Sequence, residues 1–99
     1  MIRNGMRPIH PGEILREEYL EPLEMSVNAL ANALHVPATR MNEIVRGNRG
    51  VSADTALRLA RYFGTSARFW LNLQTEFELR QAEVEKATKI AKEIKPRAA

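Results

Sequence analysis

Leu30-Ala31-Asn32-Ala33-Leu34-His35-Val36-Pro37-Ala38-Thr39-Arg40-Met41-Asn42-Glu43-Ile44-Val45-Arg46-Gly47 shifts the phase of its apolar positions across a short turn. Leu30, Ala31 and Leu34 fall on one helical face, Val36 is apolar at the turn, and Met41, Ile44 and Val45 resume the helical spacing. Two short helices sharing one core are expected, a helix-turn-helix. Ser26 stands before the first, where its oxygen can accept from an unpaired backbone amide, and Gly47 follows the second, where a left-handed cap costs least. Pro37 suits the first position of the second helix, since its fixed φ is already helical and its missing N–H would be unpaired there. In a DNA-binding helix-turn-helix the second helix does the reading.

Its outward residues follow from its inward ones. With Met41, Ile44 and Val45 facing the core, Ala38, Thr39, Asn42, Glu43 and Arg46 lie on exposed or flanking faces. Thr39, Arg40, Asn42 and Glu43 are the residues expected to approach bases, with Ala38 offering only a methyl. Asn pairs with adenine, a Thr or Ala methyl touches thymine, and Arg reads guanine or holds phosphate. The plainer alternative is a solvated helix face. Beyond Gly47, Asn48-Arg49-Gly50-Val51 is a glycine-flanked loop, and Arg46, Asn48 and Arg49 are expected to hold the DNA backbone.

Charge supports that placement. Residues 36–68 carry six arginines against Glu43 and Asp54, a net +4, whereas residues 1–35 carry −2 and residues 69–85 carry −3. The last fourteen residues return to +4 through Lys86, Lys89, Lys92, Lys95 and Arg97 against Glu93. A polyanion meets two attractive patches.

The 99 residues suffice for one domain with a tail, and 44% apolar content for a modest helical core. Without cysteine there are no disulfides and no thiolate zinc site, and no apolar run approaches the roughly 20 residues of a membrane span. The first eight residues lack the apolar core of a signal peptide, so the cytoplasm is the expected compartment and no membrane partner is expected.

In chain order, residues 1–10 read as an extended arm whose end Ile9 can pin, 11–79 as the DNA-binding domain, and 80–99 as a basic helical extension. Helix one starts at Pro11-Gly12-Glu13 and stops near Pro22, burying Ile14, Leu15, Tyr19 and Leu20, with Leu23 and Met25 continuing the core. Ser52 caps the fourth helix, whose apolar face holds Ala56, Leu57, Leu59, Ala60 and Phe63, and Gly64 ends it. Thr65-Ser66 caps a fifth, in which Phe69 and Leu73 are expected to seal the core. Trp70, Leu73, Phe77, Val84, Ala87, Ala91 and Ile94 then draw a heptad-like apolar line with Arg80 as its interruption. Five short helices already close a core, so the surplus points to a homodimer through Trp70, Phe77 and Val84, the competing reading being a fold-back onto the domain. No segment alternates like a strand. The fold expected is all-α.

Met6-Arg7-Pro8-Ile9-His10-Pro11-Gly12-Glu13-Ile14-Leu15-Arg16-Glu17-Glu18, Ala53-Asp54-Thr55-Ala56-Leu57-Arg58-Leu59-Ala60 and Phe69-Trp70-Leu71-Asn72-Leu73-Gln74 closely resemble the HigA-type antitoxins, within the Xre/Cro-like (lambda-repressor-like) helix-turn-helix group. The resemblance spans residues 6–80. It implies a five-helix domain with a C-terminal helical extension. It also implies an antitoxin that binds and neutralises a HigB-type toxin, a RelE-like ribosome-dependent mRNA endonuclease. Such a protein represses its own operon as a homodimer on an inverted repeat of double-stranded DNA. A stand-alone Xre-type regulator with no toxin partner is the alternative.

Other classes fit less well. A nuclease needs a proton carrier beside a group that stabilises developing charge, yet His10 and His35 are 25 positions apart with no convergent set around either. His10 with Glu13 makes only two metal ligands, and a surface or N-cap histidine is the better reading; no metal or cofactor is expected. A module that keeps the fold for protein contacts alone conflicts with the +4 on residues 36–68.

Overall fold

Serines start three of the helices. The hydroxyls of Ser26, Ser52 and Ser66 accept from the backbone amides of Ala29, Thr55 and Phe69 at 3.0, 3.3 and 3.0 Å, each satisfying a donor that the first helical turn leaves open. The computed structural model describes residues 7–98. In it α1 (Pro11–Ile14) runs directly into a π-helical stretch, Leu15–Leu20. There follow α2 (Val27–Leu34), α3 (Ala38–Val45), α4 (Ala53–Phe63) and α5 (Ala67–Glu93), with no strand among the described residues. The five-helix all-α expectation holds.

α2 packs on α3 and α4 on α5, while α1 reaches both α3 and α5. Leu15, Leu20, Leu30, Leu34, Met41, Ile44, Val51, Leu59 and Trp70 meet in one buried core. The crossing of α1 over α3 depends on Gly12, because a Cβ there would run into the backbone carbonyl of Ile44.

Several expectations need correction. Pro37 stands one residue before α3 rather than at its first position, with ψ 142°, and its carbonyl takes the amide of Arg40 at 3.1 Å. The α2–α3 turn is made by His35, left-handed at φ 58°. Of the expected arm, residues 1–6 lie outside the described ones. Residues 7–10 are non-helical but docked: Arg7 forms a two-bond ion pair with Glu13 at 3.0 and 2.8 Å, and His10, more than Ile9, is the residue driven into the interior. Leu23 and Leu57 are exposed where core contacts were expected.

The largest correction concerns the fifth helix. Trp70 is wholly buried and touches the rings of Tyr19, Phe63 and Phe69, with its indole N–H donating to Thr65 Oγ1 at 2.8 Å. It therefore seals its own domain and is withdrawn as a dimer contact, while Phe69, expected to seal, is 37% exposed. Phe77 is half-buried, its ring edge-on to His10 at 4.8 Å, whereas Val84 is 67% exposed. The apolar line is thus one helix face that starts inside the domain and leaves it. Helix α5 runs through Arg80 without a break, every described residue from 81 onward is exposed, and residues 94–98 are not helical.

Candidate nucleic-acid interface

Helix α3 is fixed by its buried face and by the turn that follows it. Met41 and Ile44 are fully buried beneath α3, and Arg46 caps the helix before Gly47 turns the chain at φ 81°. Ala38 and Thr39 at its start, and Arg46, Asn48 and Arg49 at its end, are exposed; Arg40, Asn42 and Glu43 are half-buried. All eight sequence-predicted contact residues therefore lie on α3 and the loop after it, and the structure separates them into two groups.

Four are engaged within the chain. Arg40 donates to Asp54 Oδ2 at 2.8 Å and reaches Thr55 Oγ1 at 3.4 Å. Asn42 donates to the Ala38 carbonyl at 3.0 Å and to Asn28 Oδ1, on α2, at 3.2 Å. Glu43 receives both Nε and Nη2 of Arg49, at 2.8 and 2.7 Å. The side chains of Thr39, Arg46 and Asn48 make no such bond among the described residues.

Sequence reasoning missed what organises this surface from behind. Asp54, in the first turn of α4, also receives Arg58 Nε at 2.9 Å, and Arg58 Nη1 donates to the carbonyl of Leu34 at 2.8 Å. One carboxylate thus ties α4 to α3, while its arginine partner caps the C-terminal end of α2. The hydrogen bonds from Arg58 and Arg40 hold the Asp54 carboxyl below its ordinary range. The i,i+4 spacing of Asp54 and Arg58 was visible in the sequence; that Arg40 joins them was not. Between α3 and α4 opens a polar cleft of about 470 Å³ lined by Arg40, Arg49, Ser52, Asp54, Thr55 and Arg58.

No group of three or more metal-ligating side chains occurs among the described residues, and no described helix is long and apolar enough to cross a membrane. The surface is an arginine-rich helix end and loop, suited to a polyanion.

A helix-turn-helix family profile matches residues 17–70. Virulence-associated protein I of Dichelobacter nodosus is 62% identical over 84 residues, 85% of this chain and 78% of that protein. The crystal structure of Pseudomonas aeruginosa PA4674 in complex with its 18-base-pair operator DNA superposes with a TM-score of 0.90 at 56% identity, covering 96% of this chain and all of that one. Pseudomonas aeruginosa antitoxin HigA with the higBA promoter gives 0.90 at 54% identity, covering 93% and 100%. The chain belongs to the HigA-type antitoxins of the Xre-like helix-turn-helix family. Placed there, this HigA-type chain sits among regulators and antitoxins rather than enzymes, and the nuclease alternative falls away.

Proposed function

We propose that this chain is an antitoxin that represses its own operon, binding an inverted-repeat operator as a homodimer. It neutralises a HigB-type, RelE-like mRNA endonuclease by direct contact, in the cytoplasm. The observation that carries the DNA reading is the exposed face of α3 and the loop after it, where Thr39, Arg46 and Asn48 stand open among arginines. That the similar Pseudomonas chains were solved with operator or promoter DNA supports the same reading.

Base contacts fall to Ala38, Thr39, Arg40, Asn42 and Glu43, and backbone contacts to Arg46, Asn48 and Arg49. For Arg40, Asn42 and Glu43 this requires exchanging an internal bond for one to DNA. Repression is steric: two reading helices about 34 Å apart enter successive major grooves and cover promoter DNA.

The test is a mobility shift on the DNA upstream of the chain's own gene, followed by co-purification with the product of the neighbouring open reading frame. A shift that Arg46→Ala and Asn48→Ala weaken, together with a co-purifying small basic protein, supports both halves. A shift without any partner leaves a stand-alone regulator, and no shift removes the operator reading.

A further inference from the structure

Two buried polar side chains stand behind the loop that joins α3 to α4, and neither lies on the reading surface. His10 Nδ1 accepts the amide of Gly12 at 2.8 Å, capping α1, while the ring lies against the loop, 3.8 Å from where a Cβ on Gly47 would sit. Because Nδ1 takes an amide proton, the ring's own proton sits on Nε2 and the imidazole is neutral. Phe77 of α5 packs edge-on against the same ring. Gln74, three residues earlier on α5, accepts the amide of Val51 through Oε1 at 2.8 Å and donates through Nε2 to Glu78 at 2.8 Å.

We propose that His10 and Gln74 are positioning residues for the phosphate-gripping loop, fixing where Asn48 and Arg49 meet the DNA backbone. The proposal rests on the operator-binding reading above. A cap for α1 needs only an acceptor, which a serine or asparagine supplies without burying an imidazole. The histidine adds a ring packed against the loop at Gly47. Gln74 grips the other end by a hydrogen bond, so the loop is held at Gly47 by the chain before α1 and at Val51 by α5. Phosphate contacts set the register of a reading helix, and a loop ordered beforehand loses less entropy on binding.

Two substitutions separate the functions of the ring. In His10→Asn the amide oxygen stands where Nδ1 stood and keeps the cap, but the side chain is too short to pack on the loop; His10→Gln reaches toward the loop and gives up the cap. Gln74→Met removes the second anchor at similar volume. Binding is read by fluorescence anisotropy on the duplex upstream of the chain's gene and on an unrelated duplex of equal length, with melting temperature beside it. His10→Asn and Gln74→Met should each lose about threefold to tenfold in affinity on both duplexes, the equivalent of one hydrogen bond. His10→Gln should bind more tightly than His10→Asn even where it melts lower. Hydrogen exchange gives a DNA-free readout: the amides of Asn48 to Val51 should exchange faster in His10→Asn and Gln74→Met than in the parent. Affinity losses that track melting temperature across all three variants would overturn the proposal, as would unchanged loop exchange. If the parent binds neither duplex, the operator reading fails, while the exchange experiment still decides the anchors.

Discussion

Asp54 shows how much one side chain can restrain. Its carboxylate holds Arg40 and Arg58 together; Arg58 has a second anchor at 2.8 Å, the carbonyl of Leu34, whereas the second contact of Arg40 is the longer 3.4 Å reach to Thr55 Oγ1. Asp54→Asn should therefore release Arg40 first. We expect tighter binding to unrelated DNA and a salt dependence steeper by about 1 in log–log slope, measured by anisotropy between low and moderate salt. His10 makes a prediction of another kind. Burial lowers its pKa below 6.5, outweighing the Arg49 backbone and the Glu13 charge, which raise it. Above pH 6.5 the ring is neutral folded or unfolded, and its contribution is complete. As pH falls the unfolded chain takes the proton first, so stability is lost from pH 6.5 down through the lower folded value. Urea midpoints for the parent should fall across that window, and those for His10→Asn should fall less.

At the scale of elements, the caps were legible and the phase of α5 was not. Ser26, Ser52, Ser66 and Gly64 punctuate the chain through bonds to their immediate neighbours, so local sequence is sufficient to place them. Whether Phe69 or Trp70 points inward depends on how α5 lies against α4 and the π-helical stretch, where Tyr19 and Phe63 form the pocket, and spacing within α5 carries no such information. The same limit hid His10 and Gln74, whose partners are distant in sequence. The outward face of α3 was visible because its own core face, Met41 and Ile44, defines it; that Arg40, Asn42 and Glu43 turn to neighbouring side chains was not. The correction is measurable. Trp70→Ala should cost about 3–5 kcal/mol in chemical denaturation, as for a fully buried aromatic. Phe69→Ala should cost clearly less, since its ring is partly in water.

For the whole molecule the governing feature is α5, 27 residues in one unbroken helix and therefore about 40 Å long. Its first turns belong to the core; its later ones stand clear, giving an outline of 53 × 25 × 24 Å. Val84 continues the line of Trp70 and Phe77 into water, with Ile90 exposed beside it, which is why a second copy is expected there. Sedimentation of the full chain carrying Val84→Glu and Ile90→Glu should show a folded monomer where the parent dimerises, and an unchanged dimer would move the contact elsewhere. If the contact lies there, helix continuity sets the stance of the two heads on DNA. One residue inserted after Arg80 turns everything beyond it by about 100° and advances it by about 1.5 Å, whereas seven nearly restore the original angle. A single inserted alanine should then abolish binding to the paired half-sites while a whole heptad recovers dimerisation with the heads set farther apart. The operator such a chain accepts would be written in the length of a helix outside the proposed reading surface.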